Sequence, residues 1–220
     1  MSDFWPEDIL LTTLKIRLTK NGRNHYYRLL LKIKTVDDVL ETFSYNFKPA
    51  KRPELTIVSS EKIVEAFKND SIVDYEEISD RVISVNPEWG KTIEKTINGV
   101  KLKMFVINHA DEENKYKTLA FSMDLNGTKI MHLGDLNPEV NIKYFKELQL
   151  QKDSIDILFA DLYLLLNDFG PEIINNYIQP KKIIVMHIRP DDYKELEKPI
   201  TDRFPEAIFF HKIMDKRVFD

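Results

Sequence analysis

The sequence predicts a mixed α/β fold, and two observations carry that expectation. Apolar strand runs dominate the earlier part of the chain, whereas from Ile155 onward strands alternate with helical patterns. The composition is the second: 220 residues, 43% hydrophobic and 31% charged, which suits one well-filled globular domain rather than a disordered or fibrous chain.

Taken in order, Leu14–Leu18 and Tyr27–Ile33 alternate apolar and polar residues and read as strands joined by a turn at Asn21-Gly22. Thr35–Phe43 reads as a short helix with Asp37 and Asp38 in its first turn. Leu55–Val58 is a buried-strand run feeding a helix over Ser59–Lys68, where Ile63, Val64 and Phe67 recur at helical spacing behind a serine cap. Val100–Ile107 is a strand ending at Asn108-His109. Thr118–Leu125 and Thr128–Leu133 flank Asn126-Gly127, the favoured pair for a two-residue hairpin turn, and the second strand runs into Gly134-Asp135. Ile155–Ala160 is a strand, Pro171–Tyr177 a helix with proline at its start, and Lys182–Met186 a strand ending at His187. Helix Asp192–Arg203 and strand Ala207–Phe210 close the pattern. Trp89–Asn98 and Leu162–Gly170 read as loops.

Composition excludes several functions. With 32 basic and 36 acidic residues the net charge is −4, so the molecule as a whole is not an electrostatic nucleic-acid binder. The absence of cysteine removes disulfides, thiolate metal sites and a cysteine nucleophile together. Any metal must be held by histidine and carboxylate. No apolar run approaches the roughly 20 residues that span a bilayer. The N-terminal residues carry no basic, apolar signal pattern, so a soluble, cytoplasmic protein is expected. Charge is uneven, however: Lys15–Lys34 holds seven Lys or Arg and no acid, alongside His25, Tyr26 and Tyr27. That stretch is either a solvated hairpin face or a surface for phosphates or another partner.

Three potential ligands, His109, Asp135 and His187, each stand just past the end of an apolar strand. Strand ends are where rigid α/β frameworks present binding side chains. Two imidazoles and a carboxylate suit zinc, although a lone histidine or a Gly-Asp turn also has ordinary structural explanations.

His109 followed by Thr118–Asp135, then Ser154–Asp161, then Pro180–His187, resembles the metallo-β-lactamase superfamily. In that family a ligating His precedes a hairpin ending in Gly-Asp, and a later strand closes on the last ligand His. The resemblance covers about Leu55 to Phe210. It implies an αββα sandwich, a single domain over 1–220 with an atypical basic segment 1–53 and a family-like core 54–220. It also implies a metal site in which His109 serves one zinc, Asp135 bridges and His187 serves a second. Active members use the metal to make hydroxide and hydrolyse an ester, amide, lactone or phosphodiester, so the implied partner is a small-molecule substrate. His132 reads as structural, and His25 and His211 as surface residues.

The family's H-x-H-x-D-H motif is absent from this sequence. If Glu7–Thr12 is the strand leading into it, Thr13, Lys15, Arg17 and Leu18 stand at the ligand positions, and a cation cannot ligate zinc. The expectation is therefore a hydrolase with one or two zinc ions in a degenerate site, or an inactive relative that binds a protein or nucleic acid. A replacement ligand such as Asp161, or an altered N-terminal segment, would also fit. The first sheet is expected to be incomplete or rebuilt from the Leu14–Ile33 hairpin.

Overall fold

A computed structural model describes residues 12–20, 23–31, 56–69, 75–109 and 117–211. β1 (Thr12–Lys20) and β2 (Arg23–Leu31) pair antiparallel, from Thr12 opposite Leu31 to Lys20 opposite Arg23. The expected Asn21-Gly22 turn and Thr35–Phe43 helix lie outside the described residues. β3 (Ile57–Ser60) is parallel to β4 (Val82–Val85). Ser59 and Ser60 end the strand, Ser60 directly precedes the helix, and α1 (Glu61–Asn69) buries Val64 and Phe67. Phe67 packs with Ile78, Ile57 and Ile63, as the helical spacing predicts.

The remaining strands form one seven-stranded sheet: β5 (Ile93–Ile97), β6 (Val100–Asn108), β7 (Lys117–Leu125), β8 (Thr128–His132), β9 (Ile157–Asp161), β10 (Lys182–Met186) and β11 (Ala207–Ile208). Their spatial order is β11-β10-β9-β8-β7-β6-β5. β5 through β8 are antiparallel neighbours, and β8, β9, β10 and β11 are parallel. The β7–β8 turn is built as the sequence dictates. Asn126 and Gly127 both take positive φ, +56° and +94°, and Asp124 Oδ1 accepts the Gly127 N–H.

Both faces of this sheet are apolar because successive side chains alternate sides. Phe105, Ile107, Met131, Leu133, Leu158, Ile183 and Val185 face the helices. There they meet α2 (Pro138–Leu148) through Phe145 and Leu148, and a helical segment of Gly170–Glu172 continuing as a π-helix over Ile173–Ile178, here α4. Ile200 of α5 (Tyr193–Arg203) and Phe204 complete this layer. The opposite face carries Met123, Leu125, Ile130, Ile157, Phe159 and Ile184. Each of these side chains is nearly or fully removed from solvent.

The mixed α/β class is as expected. The two segments read as loops each contain an element: β5 lies within Trp89–Asn98, and α3 (Leu162–Leu166) within Leu162–Gly170. α2 was not expected either, although Asn137 caps it and Pro138 opens it. No helix among the described residues is long and apolar enough to cross a membrane.

Candidate functional site

Strand direction assembles the site. β7 runs against both β6 and β8, so those two point the same way, and β9 and β10 run with β8. The C-terminal ends of four strands therefore share one sheet edge, the usual location for a ligand in an open α/β sheet. His109 follows β6, Asp135 lies past β8, Asp161 ends β9 and His187 follows β10. With Leu136, Leu162 and Tyr163 they line a single pocket of about 270 Å³.

The β6 end is fixed by three asparagines. The Asn108 N–H donates to Asn141 Oδ1 at 2.7 Å, and Asn141 Nδ2 donates to the carbonyls of Asn108 and Asn137, both at 2.6 Å. The Asn137 N–H returns to the Asn108 carbonyl at 3.0 Å, while Asn137 Oδ1 caps α2 through the Glu139 N–H. Asn108 and Asn141 are completely buried. This clamp sets where His109 emerges. His109 Nδ1 lies 3.2 Å from the Asp135 carbonyl oxygen. A carbonyl only accepts, so that nitrogen carries the proton and Nε2 is left as the basic one, the tautomer a ligating histidine commonly adopts.

The turn bearing Asp135 is held from two sides. Gly134 takes φ +69°, a conformation that costs other residues, and its N–H donates to His132 Nδ1 at 2.9 Å. The His132 ring stacks on Phe121 (5.7 Å, 10°) and Phe159 (6.1 Å, 23°), as its structural reading requires. Burial, helped by His187, pushes the His132 pKa down to about 4, so the ring is neutral at pH 7. From the other side, Asp161 Oδ2 accepts the Leu136 N–H at 3.0 Å, and its Oδ1 caps α3 through the Leu164 N–H at 2.6 Å. Asp161 thus ties the β8 loop to the β9 end. Burial outweighs these two amides and raises its pKa to about 6.

His187 takes φ +59°, an uncommon conformation for a non-glycine residue. Such a backbone is held only where its surroundings impose it, often at functional positions. Its Nδ1 lies 2.7 Å from Asp135 Oδ1. His211 stands apart: it sits 3.5 Å from Glu197 Oε1 and against the Tyr193 ring, consistent with a surface role.

The three residues read as ligands are thus brought to one pocket. Two imidazoles and a carboxylate are donor types that zinc accepts. Asp161 accepts one backbone N–H at each carboxylate oxygen, so its first task in the pocket is to hold the neighbouring loops. Among the described residues no group of three or more His, Asp or Glu is placed so that it could hold a metal ion. Sequence reasoning missed Asn108, Asn137 and Asn141; the one available signal was Asn137-Pro138-Glu139, a helix-start pattern.

No protein-family model matches the chain, and no curated protein matches it. Several solved structures resemble its fold. A metallo-β-lactamase-superfamily protein of Thermotoga maritima shares 28% identity over 50% of each chain, with a TM-score of 0.35. Zn(2+)-bound PqqB of Methylobacterium extorquens shares 11% identity over 71% of this chain and 62% of its own, with a TM-score of 0.47. The metallo-β-lactamase fold protein YhfI of Bacillus subtilis shares 10% identity over 78% of this chain and 79% of its own, with a TM-score of 0.42. The chain therefore spans half the length of the first protein and less than two thirds of the second.

Proposed function

We propose that this chain is a hydrolase-like protein of the metallo-β-lactamase type whose edge pocket takes one zinc ion on His109, Asp135 and His187. The observation that carries this reading is the convergence of the three residues, 26 and 52 positions apart in sequence, on one pocket. Zinc, when bound, lowers the pKa of a water toward about 7 and polarises a scissile carbonyl or phosphoryl group.

The chain's own residues prepare that chemistry. The Asp135 carbonyl holds the His109 proton on Nδ1 and leaves the Nε2 lone pair for a metal. The Asp135 carboxylate draws a cation into the pocket and orients His187. Asp161 holds the backbone of Leu136 and Leu164, so the β8 and β9 ends cannot drift apart. Leu136, Leu162 and Tyr163 give the pocket an apolar wall on which the substrate displaces water. The substrate class is an ester, amide, lactone or phosphodiester.

Turnover of p-nitrophenyl acetate and of bis(p-nitrophenyl) phosphate by the full chain tests this. Zinc-dependent hydrolysis of one of them is expected, abolished by chelator and reduced at least ten-fold in Asp135→Ala and His187→Ala. Rates that ignore zinc, chelator and both substitutions would remove the hydrolase reading.

A second reading, a non-enzymatic module that binds nucleic acid through the basic hairpin, is favoured by one observation. The β1–β2 register sets Lys15 opposite Arg28 and Lys20 opposite Arg23. Like charges directly opposed weaken a strand pair, and an anionic partner relieves that repulsion. Retention on a nucleic-acid column that falls with salt, and falls further when Lys15, Arg17, Arg23 and Arg28 become Ser, is the expected result. Unchanged retention would dismiss it.

A further inference from the structure

Among the described residues, Tyr163, Leu166 and Phe169 are the large hydrophobic side chains left exposed, at 53%, 41% and 37%. Isolated exposed apolar residues are ordinary. These three instead fall within one seven-residue segment, and Tyr163 itself lines the edge pocket beside Leu162. Tyr163 and Leu166 are three apart on α3 and so neighbours on one side of it.

The segment is held firmly. Asp161 caps the start of α3, and Arg203 Nη1 donates to the carbonyls of Leu165, Leu166 and Asn167 at 3.3, 3.1 and 3.1 Å. Asn167 Oδ1 accepts the Phe169 N–H at 2.9 Å. Gly170 then passes so close to Leu164 that a Cβ there would lie 1.9 Å from the Leu164 carbonyl oxygen. Apolar side chains on a braced backbone lose little freedom when a ligand covers them, which is what makes a binding surface effective.

We infer that Tyr163 and Leu166, with Phe169 beyond them, form the subsite for an alkyl or aryl group of a small molecule whose polar end sits at His109, Asp135 and His187. This rests on that pocket being the ligand site and names the substrate class further: an ester, amide or phosphodiester bearing an apolar chain or ring, rather than a wholly polar metabolite. The polar end is held by the two imidazoles, and the apolar part leaves water across the mouth of the pocket.

The test is binding, read by amide NMR shifts of the full chain titrated with octanoate and with acetate. Octanoate is expected to bind at least about ten-fold more tightly, the gain from burying two or more methylenes. Its shifts should centre on Leu136 and on residues 162–167. In Tyr163→Ser/Leu166→Ser, which alters only exposed side chains, the preference should fall below about three-fold with thermal stability kept. Equal affinities, shifts centred elsewhere, or an unchanged preference in the double variant would overturn the inference. So would a concentration-dependent dimer that the double variant abolishes, since a second copy would then cover this surface. The octanoate preference surviving in a protein that takes up no zinc would fail the hydrolase reading while leaving this subsite standing.

Discussion

His132 shows how a residue outside the pocket sets its geometry. It accepts the Gly134 N–H while its ring is stacked between Phe121 and Phe159. Its pKa is about 4 in the fold against 6.5 ordinarily. The unfolded chain therefore binds a proton that the folded chain refuses as pH falls below about 6.5, and stability drops until about pH 4, by roughly 3 kcal/mol in total. Asp161 works the other way: its pKa is about 6 against 3.8 ordinarily, so its contribution is full below about 3.8 and is lost as pH rises through 6. The two oppose one another across the same interval. His132→Phe keeps the stacking but removes the titration, and its melting temperature should fall as pH rises from 4 to 6, unlike the wild type. An identical pH profile for both proteins would contradict this assignment. Asn141 is the second such residue. Asn141→Leu leaves the buried Asn108 amide without its acceptor, and chemical denaturation should show a loss of about 2–4 kcal/mol, since several buried hydrogen bonds go at once.

At the scale of elements, α3 and α4 meet at Gly170, where the chain approaches Leu164 too closely for any side chain. Gly170→Ala should cost about 1–3 kcal/mol through forced backbone displacement, measurable as a lower denaturation midpoint. The strands were largely legible because apolar runs announce them: β6, β7, β8, β9 and β10 fall within two residues of expectation. Asn126-Gly127 marked its turn because both residues tolerate positive φ. Besides α2, three short or weakly patterned elements escaped. β5 reads Ile-Glu-Lys-Thr-Ile, with only its end residues apolar, and so resembles a polar loop. β4 has four residues, too few to show a period. α3 has five, nearly all apolar, which gives no amphipathic signal.

For the whole molecule, strand order assembles the pocket, and strand order is a tertiary property. The sequence shows His109, Asp135 and His187 at strand ends. Only the β7 reversal and the parallel β8-β9-β10 run place those ends on the same edge. The asparagine clamp was equally invisible, because Asn108 and Asn141 are 33 residues apart and each resembles a surface residue until packed. Sequence carries the donor chemistry; folding adds convergence and the carbonyl partner of His109 Nδ1. Zinc stoichiometry measures that convergence most directly. Equilibrium dialysis of the full chain against zinc, followed by metal analysis, should give about one ion per chain, falling to under about a tenth in His109→Ala/Asp135→Ala/His187→Ala. A wild-type chain that retains less than about a tenth of an equivalent, or a triple variant that binds as much as the wild type, would contradict a metal site at this edge.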